Sequence, residues 1–196
     1  MASKKELHYE PSVFPAFDFG HVLPPKVTSA KVKNAEIRGS LSAAIYLASQ
    51  IELAQGSIRL RVEPIRSAYF RAALSEIVRV EDIAKASKKN FKFTESHDPL
   101  LHIIKLLRNY QVHVGVFKLE AGSIGVQHGD AEGIYESFIV DNLSVKELSK
   151  LDSASKYTDG QLEELLRLFD IHQRKFGVVQ LLYNSCLHVG ELVGKF

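Results

Sequence analysis

Apolar side chains recur every three to four positions over most of the chain, the period of an α-helix with one buried face. Ile37, Leu41, Ala44, Ile45, Ala48, Ile51 and Leu53 make the first stripe. With Ser29 as a side-chain cap, they predict a helix over about 29–61. Ile65, Tyr69, Ala72, Leu74, Ile77, Val80 and Ile83 make the second stripe. Pro64 suits the first turn of that helix, which is predicted to reach about Ser87. After a link over 88–95, a third helix is expected to open at Ser96 or Asp98, with Pro99 just inside, and to run to about His113. Ser144 reads as the cap of a short helix over 145–151. Thr158 or Asp159 reads as the cap of a long final helix carrying Leu162, Leu165, Leu166, Phe169, Val178, Leu181, Leu182 and Leu187. Gly177 is the position at which that helix is expected to bend.

Between the third and fourth helices the period changes. Val112, Val114, Val116 and Leu119 alternate as in extended chain, with Gly115 interrupting. Gly122, Gly125, Gly129 and Gly133 suggest a loop over 121–133. A partner strand over 134–140 then completes a small hairpin. At the other end, Pro11, Pro15, Pro24 and Pro25 break any periodicity over 1–28, while Val13, Phe14, Phe17 and Phe19 supply apolar anchors. This segment is expected to be an irregular arm packed on the body, and 29–196 a single domain. Short links between long amphipathic helices make neighbours antiparallel. The expected fold is therefore mainly α: an antiparallel helix bundle with a small β-hairpin insertion.

Composition narrows the functional classes. A chain of 196 residues can bury a core without staples. Cys186 is the only cysteine, which excludes an intramolecular disulfide and a Cys-rich zinc site. The polar start and the lack of an apolar run of bilayer length predict a cytoplasmic protein with no membrane partner. A net charge of +2 is too small to announce nucleic-acid binding. Lys85, Lys88, Lys89 and Lys92 form the densest basic cluster, and a solvated helix end accounts for it.

The third helix carries the most chemistry. On a helical wheel Leu100, Ile103, Ile104 and Leu107 gather on one side, which is expected to face the core. His102, Lys105, Asn109 and His113 gather nearly opposite. Asn109 and His113 are four apart and stack on one face. Arg108 lies one position round, and its long planar guanidinium can swing toward them. Six consecutive residues thus supply a cation suited to clamping phosphate, an amide, and an imidazole suited to proton transfer near neutral pH.

Arg108-Asn109-x-x-x-His113 resembles the Arg-polar-x-x-x-His signature of the HEPN superfamily (higher eukaryotes and prokaryotes nucleotide-binding). That family comprises small helical bundles, many of them metal-independent endoribonucleases of toxin–antitoxin, phage-defence and RNA-processing systems. The resemblance covers six residues. It implies a homodimer that brings two motifs together, RNA as substrate, no cofactor, no metal, and an antitoxin or other protein partner. It implies that Arg108 binds the scissile phosphate, that His113 is general base or acid, and that Asn109 orients it or the substrate. His102 and Lys105, on the same face, are the expected substrate-binding residues. The hairpin is no part of the minimal family bundle.

Blander readings of the same residues exist. Arg108 pairing with a carboxylate, Asn109 capping the helix and a half-buried His113 would leave a helical module that binds a protein or nucleic acid without catalysis. An adaptor docking through its aromatic arm is a third class. Elsewhere, Ser123 lacks the frame of a nucleophile elbow. Gly190 to Lys195 holds only part of a phosphate loop. His97 and His102, five apart, miss the helical spacing of a zinc pair. His128, beside Asp130, reads as a solvent-exposed loop histidine. Asn142-Leu143-Ser144 is a sequon of no use to a cytosolic chain. Cys186 reads as a core residue.

Overall fold

The computed structural model describes residues 7–14, 20–21, 23–128 and 131–194. It is mainly helical with one two-stranded antiparallel sheet among the described residues, the predicted class. The elements are α1 (Ala35–Leu53), α2 (Val62–Ala86), α3 (Pro99–His113), β1 (Leu119–His128), β2 (Ala131–Val140), α4 (Val145–Leu148) and α5 (Asp159–Gly194). Among the described residues, no helix is long and apolar enough to cross a membrane.

Caps set the helix boundaries. The first helix starts at Ala35 and not near Ser29, because the Asn34 side chain accepts from the Glu36 and Ile37 amides at 2.9 and 3.1 Å. It stops at Leu53, where Ala54 is extended, and a turn closed by Ser57 N–H to Leu60 O fills the stretch predicted to be helical. Asp98 caps α3, with Pro99 in its first turn. For α5 the cap is Thr158: its Oγ1 accepts from the Gln161 amide, and Gln161 Oε1 accepts from the Thr158 amide in return.

α1 and α2 run antiparallel. Asn34 meets Ser87, Glu36 meets Arg79, and Ser40 donates to the Glu76 carboxylate, so residue numbers fall on one helix as they rise on the other. α5 packs on α1, α3 and the hairpin. Phe70, Phe93 and Phe169 are among the largest fully buried side chains. Each contributes about 1.5–3 kcal/mol on burial. In the arm, Tyr9 and Phe14 are buried, and Tyr9 Oη donates to Gln161 O at 2.6 Å. Phe17 and Phe19 lie outside the described residues.

The hairpin is longer than the sequence predicts. Residues 121–128 and 131–133, expected to be loop, continue β1 and β2. Ten pairs run from Leu119↔Val140 to His128↔Ala131. The base of the ribbon packs through Leu119, Phe138 and Val140, farther out Tyr135 donates to the Glu52 carboxylate on α1, and Ile134 is exposed. A Cβ at Gly122, Gly125 or Gly133 would meet nothing within 4 Å. Side-chain size is not selected there, so the glycines report no turn.

α5 bends at Gly177, as expected. Its backbone leaves the helical region there, with φ 76° and ψ 161°. The first half grips the hairpin base, where Gln173 accepts from the Val140 amide and donates to its carbonyl. The second half turns back along the bundle, where Gly190 packs on Val32 and Leu41 and His188 meets Asp98. Gly190 is thus a helix-contact position and no phosphate loop. Lys195 lies outside the described residues.

Candidate functional site

α3 is central to the bundle, and this changes which of its residues meet solvent. Leu100, Ile103, Ile104 and Leu107 are buried as expected. So are Leu101, His102, Leu106, Tyr110 and Gln111. What stays accessible is a narrow stripe: Lys105, Arg108, Asn109, Val112 and His113. These positions repeat at helical spacing along one edge of α3.

His102 departs from the outward face assigned to it. It is 0% exposed, between the 93–95 turn on one side and the 152–156 turn on the other. One ring nitrogen, Nε2, lies 2.8 Å from Ser96 O and the other, Nδ1, 2.9 Å from Tyr157 Oη. A carbonyl only accepts, so Nε2 carries the hydrogen and Nδ1 accepts from the tyrosine in the neutral ring. Burial holds this imidazole below its ordinary value, and the Ser96 carbonyl opposes that only in part. His102 is a core hydrogen-bonding residue and cannot reach a substrate at the surface.

Lys105 stays on the stripe, but its charge is matched. Nζ lies 3.1 Å from Glu81 Oε2, which also accepts from the Phe93 amide. The ammonium stands 6.0 Å from the Phe93 ring centroid. A paired, half-buried lysine is a weak anion site.

Arg108 and Asn109 form a connected pair. Arg108 Nη1 donates to Asn109 Oδ1 at 3.2 Å, and Asn109 Nδ2 donates to Ser153 Oγ at 3.1 Å. The guanidinium is therefore turned toward the Asn109 edge of the helix, the swing expected from the sequence. Asn109 is tied to the turn before α5, which fixes its amide. Arg108 Nε is buried without a hydrogen-bond partner among the described residues. His113 follows one turn after Asn109, in the last turn of α3, and is exposed.

Three neighbours carry no signal in the sequence. Ser153 is distant along the chain and has no motif. Tyr110 stacks on Phe117 at 4.3 Å and donates to Glu147 Oε2 at 2.5 Å, which ties α4 to the end of α3. Hydrogen bonds from Lys150 and then Tyr110 hold the Glu147 carboxyl below the usual range. Gln111 is 6% exposed, with neither amide atom hydrogen-bonded among the described residues. A glutamine in the last turn of an amphipathic helix reads as solvated, so only tertiary packing reveals it.

The other candidates stay apart. Ser123 is exposed on β1. His128 ends β1 and does not lie in a loop, and its side chain lies outside the described residues. Lys85, Lys88 and Lys89 are exposed, and Lys92 pairs with Glu95. Cys186 is fully buried, and burial pushes its thiol far up. Ser144 caps α4 by accepting from the Glu147 amide. A shallow depression of about 580 Å³ over the start of α2 is lined by Arg59, Leu60, Arg61, Pro64, Ile65, Ala68 and Tyr69, away from the stripe on α3. The chain matches no protein-family model, no curated protein and no solved structure.

Proposed function

We propose that the end of α3 is half of a metal-independent RNA-cleaving site of HEPN type, completed by the same edge of a second copy in the cytosol. The observation that carries this reading is the chain of hydrogen bonds Arg108–Asn109–Ser153. It turns the guanidinium toward the edge that ends in exposed His113. Arg108, Asn109 and His113 are the motif residues that stay available at this edge. Lys105 is neutralised by Glu81, and His102 is in the core.

Each side chain has one role. The Arg108 guanidinium neutralises charge that builds on the phosphate. Asn109 holds Arg108. His113 removes the proton of the ribose 2′-hydroxyl, whose oxygen attacks the adjacent phosphorus, and the histidine of the second copy protonates the departing 5′-oxygen. The products are a 2′,3′-cyclic phosphate and a 5′-hydroxyl end. DNA has no such hydroxyl and is not cut. Two copies divide the base and acid roles that one imidazole cannot fill on both sides of a phosphate in one step.

The test is purified protein, mixed RNA and excess EDTA, with circular dichroism to verify folding. Wild type is expected to cut. His113→Ala is expected to lose about 10²–10⁴-fold in rate. Arg108→Ala weakens both cutting and RNA binding, and Asn109→Ala does less harm. Intact RNA with wild type, or equal rates with His113→Ala, refutes the reading. The competing reading, a non-catalytic partner-binding module, draws on exposed Val112 and Val116, which flank His113 with 49% and 58% of their surface open. It predicts binding that tolerates His113→Ala and fails with Val112→Asp.

A further inference from the structure

We infer that His8, Glu10 and His97 form a binding site for a borderline transition-metal cation, of which Zn²⁺ is the natural occupant, and that the ion staples the N-terminal segment to the start of α3. This site is separate from the edge of α3 that carries Arg108 and His113. Backbone alternation builds its first half. The chain over 7–10 is not helical, and Tyr9 turns inward, 8% exposed, with its hydroxyl on Gln161 O. In extended chain the residues on either side of an inward one point outward together. His8 and Glu10 are both exposed.

The third group arrives from far along the chain. The Glu10 amide donates to His97 O at 2.9 Å, which lays the two segments side by side. The rings of His8 and His97 then lie 5.6 Å apart at 78°, and His97 Nδ1 stands 3.9 Å from Glu10 Oε1. One donor atom from each of the three residues lies within 4.8 Å of the others. Around a tetrahedral zinc with bonds of about 2.0–2.2 Å, donor atoms lie roughly 3.3–3.6 Å apart. Small side-chain rotations close that difference, and exposed side chains make them readily.

The backbones that carry the donors are held. Gln161 Nε2 donates to Leu7 O on one flank. On the other, Asp98 next to His97 is buried, accepts from the Leu100 amide at 2.8 Å and pairs with His188 at 2.5 Å. Anchored backbones favour binding, because little ordering remains to be done. Two imidazoles and one carboxylate select a borderline cation over Mg²⁺ or Ca²⁺, which prefer all-oxygen sites. Three protein donors leave a fourth position for water.

The test uses the full chain with its affinity tag removed and ZnCl₂ titrated calorimetrically, with a chelator rinse beforehand. One Zn²⁺ per chain is expected, with a rise in melting temperature that grows with zinc concentration. Co²⁺ in its place is expected to give the visible absorption of a four-coordinate site. His97→Ala and Glu10→Gln are each expected to weaken binding by more than about tenfold, since even outer partners of a metal ligand are worth about 10–100-fold. All three side chains are exposed, so these variants keep the fold, as circular dichroism verifies. His113→Ala is expected to bind as wild type does. Absence of 1:1 binding, unchanged affinity in His97→Ala, or loss of binding in His113→Ala overturns the assignment.

Discussion

Gly177→Ala tests the packing that joins α5 to the hairpin. Gly177 sits at φ 76° and ψ 161°, a region that is essentially glycine-only. Forcing an alanine into it costs about 1–3 kcal/mol. The added methyl also has no room. It would lie 1.6 Å from Ser137 Oγ and 2.8 Å from Ser137 Cβ. Rotating the Ser137 hydroxyl away removes the first overlap and leaves the second, so backbone must move in a region where Ser137 is only 1% exposed. Overpacking of this kind costs about 1–3 kcal/mol more. The two costs together come to about 2–6 kcal/mol. At roughly 2–4 °C per kcal/mol for a domain of this size, the melting temperature falls by at least about 4 °C.

A double-mutant cycle separates the two costs. Ser137→Gly removes both offending atoms. In that background Gly177→Ala is expected to cost only the conformational share, about 1–3 kcal/mol. Ser137→Ala keeps the Cβ and is expected to rescue little. Urea denaturation of the four proteins gives the free energies. A Gly177→Ala protein within about 0.5 kcal/mol of wild type, the usual range for a surface change, refutes both costs. A cost that is unchanged in the Ser137→Gly background refutes the overlap, which would then contribute nothing.

Groups held in the core give two more expectations. His102 is neutral in the folded chain, with its value lowered by burial from the ordinary 6.5. Well above pH 6.5 both states are neutral at this position and its contribution is constant. Below it the unfolded chain takes up a proton that the folded chain refuses, so stability falls on acidification until the folded group also titrates. Urea midpoints at successive pH values are expected to fall more steeply for wild type than for His102→Gln, and parallel curves refute the assignment. Cys186, fully buried with its thiol pushed far up, is expected to resist an aromatic disulfide reagent until the protein unfolds. Labelling of native protein as fast as in denaturant refutes it.

The helices were legible because each depends on a local period that one sequence displays. The stripe on α3 and most of the stripe on α1 are buried, while Leu53 at the end of α1 is exposed. On α2, Leu74, Ile77, Val80 and Ile83 are buried and Ile65, Tyr69 and Ala72 only partly so. Asp98, Pro99 and Ser144 mark the starts of α3 and α4. The start of α1 was misplaced because two caps competed. Ser29 and Asn34 are both good caps by residue type, and it is Asn34 whose side chain accepts from the amides that follow it. The glycine segment failed for a different reason. At Gly122, Gly125 and Gly133 a side chain would meet nothing within 4 Å, so the residues chosen there report neither a loop nor the ladder that runs through them.

The site was partly legible for a related reason. Spacing on one helix fixes which residues share an edge, and Asn109 and His113 do. Spacing does not fix how many sides of that helix are covered. His102 shares the polar arc of α3, and a two-sided bundle would have left it in solvent. Here the turns at 93–95 and 152–156 close over it, and a carbonyl and a phenol from the residues just after them meet its two nitrogens. Its neighbour His97, beyond the helix cap, is exposed. Helical zinc spacing passes over His97, because its companions His8 and Glu10 are far away along the chain and are brought to it by one backbone hydrogen bond. Periodicity thus put the surface role on His102 and gave His97 none. The one on the polar arc is core structure, and the one outside any helix is the proposed ligand that the zinc titration tests.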